Sequence, residues 1–144
     1  MSYPLPKSTL LAILMLATTL SLYSQTTLSD ASFLRLVNFQ TGKNAVHLAH
    51  GDLDGDSKDD IVVANYGSNS ISIFRNISNN YVDLASKIDL TTSAHPTSVS
   101  IADLNHDGKP EIIASVEQSY VAVFKNISTS GSLAFEPEIV TPTG

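Results

Sequence analysis

The sequence predicts an all-β fold built from a repeated, antiparallel four-strand unit. Two observations carry this. The segment GDLDGDSKDDIVVANYGSNSISIFRNIS at residues 51–78 recurs almost residue for residue as ADLNHDGKPEIIASVEQSYVAVFKNIS at residues 102–128. Within each copy, short apolar runs rich in Ile and Val alternate with polar turns, at the length and spacing of strands. Repeats of roughly 20 to 50 residues mark solenoids or propellers, whose units bury their apolar faces only by stacking on one another.

The elements follow in chain order. Residues 47–51 and 99–102 form the strand ahead of each acidic loop, and residues 61–64 and 112–115 the strand behind it. These second runs are nearly continuous hydrophobics, as in inner strands covered on both faces. Residues 71–74 and 121–124 form the third strand, with Ile71, Ile73 and Val121, Val123 alternating with Ser72 and Ala122. Ser68, Asn69 and Ser119 supply the intervening turns. Asp52 corresponds to Asp103 but Asn76 to Asn126, so one residue is lost in the second of these hairpins. A looser fourth strand is expected at residues 33–39, 82–88 and 135–139, giving a leading outer strand followed by two full units.

Composition bounds the function. The chain has 144 residues, 42% of them hydrophobic, which suits one small domain. A formal charge of -6, from 8 Lys and Arg against 14 Asp and Glu, argues against a nucleic-acid groove or an anionic membrane surface. There is no Cys, so disulfides, thiolate nucleophiles and Cys-based zinc sites are excluded.

Residues 1–24 have the form of a secretory signal peptide. Lys7 precedes an apolar stretch from Leu10 to Leu22, and small residues surround Ser24. The stretch is too short to span a hydrocarbon core comfortably. Cleavage after Ser24 leaves residues 25–144 as the mature domain, so the expected location is secreted, extracellular or at the cell surface. Calcium is abundant there, and even weak calcium sites fill.

The acidic loops hold the chemistry. The first places oxygen ligands at Asp52, Asp54, Asp56 and Asp60, which are positions 1, 3, 5 and 9; the second repeats the spacing with Asp103, Asn105, Asp107 and Glu111. So many carboxylates in one turn repel unless a cation offsets them, and alternate positions of a tight turn aim their oxygens at one centre. The main-chain carbonyl at position 7, Lys58 or Lys109, completes the shell while the lysine side chain turns to water. Gly108 at position 6 permits the sharp bend, whereas Ser57 in the first loop predicts backbone strain. Calcium suits this cage better than magnesium, which retains a water-rich octahedral shell. An EF-hand is rejected: it needs Glu at position 12 and flanking helices, and position 12 is Val63 or Ala114 between strands. The competing reading is an acidic surface turn that limits aggregation at strand ends and needs no ion.

DLDGDSKDD and DLNHDGKPE resemble the FG-GAP/VCBS repeat family, whose repeats are blades of β-propellers such as the integrin alpha head. The likeness spans most of residues 33–144, with Ser57 and Glu111 the departures from the family pattern. It implies antiparallel four-stranded blades of a partial or truncated propeller, with two repeats in residues 25–144. It also implies Ca2+ held by the eight side chains named above, and an extracellular scaffold often found in larger adhesins, lectin-like proteins or secreted enzymes. Propellers close with about four to eight blades. Two blades therefore form an open array, complete a ring with other copies, or belong to a longer chain, and the loss of pattern at Gly144 favours truncation. Open edges favour self-association.

The expected function is a calcium-binding structural or adhesion scaffold with a protein or glycan partner and no enzymatic activity. The alternative is a carbohydrate-binding module, for which Tyr66 and Tyr120 are the hints. A polysaccharide or phosphoester hydrolase is disfavoured, because metal spacing holds the carboxylates ionised instead of raising one pKa as acid-base chemistry requires. His47, His50, His95 and His106 lack a zinc-protease arrangement. Asn76-Ile77-Ser78 and Asn126-Ile127-Ser128 fit a glycosylation pattern, but their recurrence at equivalent positions points to a shared strand-ending turn.

Overall fold

A computed structural model describes residues 38–143. The expected signal segment lies outside them, as does the expected leading strand except for Asn38 and Phe39, which are not in a strand. The described residues form two antiparallel four-stranded sheets, each with its strands side by side in chain order. The first contains β1 (Ala45–Gly51), β2 (Asp60–Asn65), β3 (Ser70–Phe74) and β4 (Ile88–Thr91). The second contains β5 (Pro96–Ala102), β6 (Glu111–Val116), β7 (Tyr120–Phe124) and β8 (Ile139–Pro142). Among the described residues neither sheet closes into a barrel or propeller.

The duplication extends to register. Each first strand carries an irregularity at its start, between Ala45 and His47 or between Pro96 and Ser98. Gly51 pairs with Asp60 and Ala102 with Glu111, so each acidic loop is the tip of a hairpin whose ninth position opens the next strand. The missing residue falls where expected: Asn65 pairs with Ser70 in one unit and Val116 with Tyr120 in the other. Asn69 adopts a left-handed conformation at φ 48°, and the shorter turn places both Gln118 and Ser119 there. Two successive positive φ angles match the right-handed twist of the flanking strands.

The fourth strands differ from expectation. They lie at residues 88–91 and 139–142, where the expected strands end, and the expected segments make only the isolated bridges Asn76 to Leu84 and Asn126 to Phe135. The reason is local side-chain competition for the backbone. Asn76 Oδ1 accepts from Ser78 N at 2.9 Å, and Ser78 Oγ accepts from Asp83 N at 2.9 Å. Asn126 and Ser128 repeat this fold with Ser128 N and Ala134 N. The open edge of each third strand is therefore met one segment later.

Cross-strand partners share a face, which fixes where the core lies. On one face of the first sheet Val62 pairs with Ile73 and Ala64 with Ile71, all 0% exposed. In the second sheet Val99 pairs with Ala114, Ala114 with Ala122 and Ile112 with Phe124. These two sets form one continuous buried cluster, with Leu53 from the first acidic loop. The counterparts lie on opposite faces of the two units: Ile113, Val121 and Val123, which correspond to Val62, Ile71 and Ile73, are only partly buried.

A polar ladder crosses the first sheet. Asn65 donates to Ser72 Oγ at 2.9 Å, and Ser72 donates to Asp89 Oδ1 at 2.6 Å. Burial alone raises the Asp89 pKa, but the Lys87 ammonium and the Ser72 hydroxyl outweigh it and hold the carboxyl below its ordinary value.

Candidate metal centre

The first acidic loop winds around its own carboxylates. Asp52 Oδ1 accepts from Gly55 N at 2.7 Å and Asp56 N at 3.1 Å, and Asp52 Oδ2 accepts from Ser57 N at 2.8 Å. Asp54 Oδ1 accepts from Asp56 N at 3.1 Å, and Asp56 Oδ1 from Lys58 N at 2.9 Å. Asp60 anchors the loop from the start of β2, accepting from Leu53 N at 3.0 Å and Asn76 N at 2.8 Å. These bonds turn alternate side chains inward, and oxygens of Asp52, Asp54 and Asp60 lie within 4.8 Å of one another.

Two left-handed residues make the turn. Position 4 (Gly55, φ 76°; His106, φ 60°) and position 6 (Ser57, φ 67°; Gly108, φ 81°) have positive φ in both loops. The expected strain at Ser57 is present. Position 4 imposes the same demand, and the sequence signal for it was Gly55 itself. Each loop supplies Gly at one position and an ordinary residue at the other.

Surroundings differ between the loops. Asp54 and Asp60 are buried, at 6% and 0% exposure. The second unit helps to cover them: Asn126 Nδ2 donates to Leu53 O at 2.8 Å, and Gly131 N donates to Asp54 Oδ2 at 2.9 Å. The Arg75 guanidinium stands 3.6 Å from Asp54 Oδ2. Lys58 turns its ammonium to 3.7 Å from Asp56 Oδ2 instead of wholly to water. Burial, together with the charges of Asp54 and Asp56, pushes the Asp60 carboxyl above its ordinary pKa, although the amides of Asn76 and Leu53 pull the other way.

The second loop keeps the winding without the convergence. Asp103 Oδ2 accepts from Gly108 N at 3.0 Å, Asp107 Oδ1 from Lys109 N at 2.9 Å, and Glu111 Oε2 from Leu104 N at 2.9 Å. Asn105 Oδ1 accepts from Asp107 N at 2.8 Å, which aims its amide nitrogen at Asp107 Oδ2 and Glu111 Oε1. A hydrogen-bond donor thus occupies the place of a carboxylate in the first loop. Among the described residues Asp103, Asp107 and Glu111 form no three-carboxylate cluster like the first. Asp103 Oδ1 is nevertheless buried without a hydrogen-bond partner among those residues.

The carboxylates that converge in the first loop fit an ion by chemistry. At an effective dielectric of about 20, two carboxylates at such spacing repel by roughly 3 kcal/mol, and one guanidinium cannot offset three or four of them. A hard divalent cation favours an all-oxygen donor set of this kind.

Other singled-out residues lie apart from this cluster. Tyr66 donates to Glu117 Oε1 at 2.5 Å and stacks on His95 with ring centroids 4.5 Å apart, so it joins the two units. The bond to Glu117 raises the phenol pKa. Tyr120 is 38% exposed. His50 Nδ1 meets exposed Asp59 at 2.7 Å, and His106 is exposed within the second loop. Asn126 is 0% exposed, its side chain committed to the turn and to the two backbone carbonyls of Leu53 and Pro110.

No match to the chain is found among curated proteins or among solved structures. Among protein families, residues 52–114 match the FG-GAP-like repeat. This repeat is a structural, non-catalytic motif, and among the described residues there is no cluster arranged for catalysis. The match runs from the first ligand position of one acidic loop through the whole of the other. With the two similar four-stranded sheets, it is consistent with two repeat-like units of FG-GAP type.

Proposed function

We propose that this chain is a secreted, calcium-held scaffold of β-propeller blades, serving a structural or adhesion role toward a protein or glycan partner. The observation that carries the reading is the convergence of Asp52, Asp54 and Asp60 within 4.8 Å, two of them buried, inside a segment similar to FG-GAP-like repeats. Asp52, Asp54, Asp56 and Asp60 would hold the ion in the first loop, with the carbonyl of Lys58. Asp103, Asn105, Asp107 and Glu111, with Lys109, would hold it in the second after the Asn105 side chain turns its oxygen inward. Bound calcium supplies charge compensation, locking each hairpin tip and the strand that follows it.

The first loop fills more tightly on this reading, because its carboxylates already converge. Calorimetric titration of the full chain with calcium tests this. Heat of binding is expected from wild type, and Asp54→Asn is expected to weaken the tighter site by about tenfold or more. Absence of binding heat, together with no calcium effect on melting, refutes the reading.

A further inference from the structure

We propose that the groove between the outer ends of the two sheets binds a small organic cation, an ammonium or guanidinium group carried on an aliphatic stem. The inference rests neither on the metal reading nor on the scaffold role. The groove has a volume of about 440 Å³, the size of a small-molecule site. Residues 89–93 line it from the first sheet, and Phe124 with residues 135–138 from the second.

Strand alternation decides which side chains enter the groove. Leu90 pairs with Ile71 and Val140 with Ala122, so both stand on the faces that build the shared core. Two residues along, Thr92 and Glu138 fall on the same faces, and both line the groove. Asp89 is one residue off and turns away: its carboxyl accepts from Ser72 on the opposite face and pairs with Lys87. Thr92 and Glu138 are also the lining residues with an unmet hydrogen bond. Thr92 is 3% exposed; its N–H donates to Asn69 O at 2.9 Å, but its Oγ1 has no partner among the described residues. Glu138 Oε2 is likewise buried without one. An unmade buried bond costs free energy that a ligand's donor restores.

The chemistry of the ligand follows from these groups. A carboxylate oxygen only accepts, and a hydroxyl accepts as readily as it donates, so the groove calls for N–H or O–H donors. Its charge is negative. Lys125 stands 3.9 Å from Glu136 Oε1, with both side chains about half exposed, and no ion pair among the described residues includes Glu138. Nor do Glu136 and Glu138 belong to a three-carboxylate cluster of the kind that holds a metal ion. Leu90, Phe124 and Phe135 make the rest of the wall apolar, a surface for methylenes to pack on. An ammonium or guanidinium brings several donors, no acceptor and the matching charge. A neutral sugar brings donors but leaves the carboxylate uncompensated.

Amide NMR titration of the full chain with agmatine, in millimolar calcium so that the acidic loops do not compete, tests the proposal. Agmatine carries a guanidinium and an ammonium on a short methylene stem. The expected result is a saturable shift of the Thr92, Ser93 and Glu138 amides. Glu138→Gln is expected to weaken binding by about tenfold or more, and Thr92→Val by about threefold or more, because a hydrogen bond to a charged group is worth more than a neutral one. Unchanged amide positions away from the groove check that both variants fold. N-acetyl-arginine amide is the second probe: binding tighter than agmatine assigns the cation to a peptide side chain, and weaker binding assigns it to a free amine. N-acetyl-citrulline amide, of the same shape without the charge, is expected not to bind. Three results overturn the proposal: no saturable shift at the groove, the citrulline compound binding as tightly as the arginine one, or both variants binding like wild type. Calcium calorimetry reads the metal proposal separately, so either can fail without the other.

Discussion

Replacing Asn126 by Ala separates the role of a buried turn residue from that of its partly exposed twin. Asn126 is 0% exposed and makes three bonds: to Leu53 O at 2.8 Å, to Pro110 O at 2.9 Å and from Ser128 N at 2.9 Å. Asn76, partly exposed, makes two with its side chain, to Asp59 O at 3.0 Å and from Ser78 N at 2.9 Å. Each lost bond costs about 1 kcal/mol net, and a buried group left unpaired costs about 1 to 3 kcal/mol. Asn126→Ala therefore loses roughly 3 to 4 kcal/mol, because water reaches its abandoned partners poorly. Asn76→Ala loses roughly 1 to 2 kcal/mol, since water replaces the side chain. For a domain of this size each kcal/mol lowers Tm by about 4 to 8 °C, so the two variants melt well apart. Urea unfolding followed by circular dichroism, with an unchanged denaturant slope, measures both losses on one scale. Equal losses, or a larger loss for Asn76→Ala, refute the claim that the second unit's turn holds the first acidic loop.

Further outcomes follow from the same structure. Gly55→Ala and Gly108→Ala each meet open space at the new Cβ and lose only backbone energy, about 1 to 2 kcal/mol, while Ser57→Gly is neutral or stabilising; urea midpoints decide. The raised Asp60 carboxyl gives metal-free protein a stability that is fully present below the ordinary aspartate value of 3.8 and is lost as pH rises through the higher folded value. Asp60→Asn should flatten that limb of the melting profile in chelator. The raised Tyr66 phenol supports the fold below its ordinary pKa of 10.0, and this support is lost as pH rises through the folded value. Spectrophotometric titration should lose its latest-ionising phenol in Tyr66→Phe.

The strands nearest the acidic loops were legible because duplication reinforces periodicity. The second and third strands fall within a residue or two of their expected bounds, and the lost hairpin residue lies where the two copies diverge. The fourth strands were misplaced because Val82 and Phe135 look strand-like, whereas the Asn-x-Ser turns upstream draw the backbone into local bonds and postpone pairing. Spacing pointed to four carboxylates in the first loop, of which Asp52, Asp54 and Asp60 come together and Asp56 does not join them. Spacing did not show that Asn105 would turn an amide donor inward, since donor and acceptor ends of one side chain read identically in sequence. Nor did it separate the loops by burial, which comes from Asn126 and Gly131 of the other unit. Tyr66 suggested a ligand contact but bonds to Glu117, a long-range pairing that local pattern does not encode.

Thermal unfolding of the full chain in millimolar calcium and in chelator tests the central claim most directly. At a calcium concentration about a hundredfold above Kd, binding to one site adds about 2.7 kcal/mol, which raises Tm by roughly 10 to 20 °C. A single cooperative transition moved upward by that amount is expected, with most of the gain removed by Asp54→Asn. Coincident transitions in calcium and chelator would contradict the claim and leave the acidic hairpin tips as surface turns.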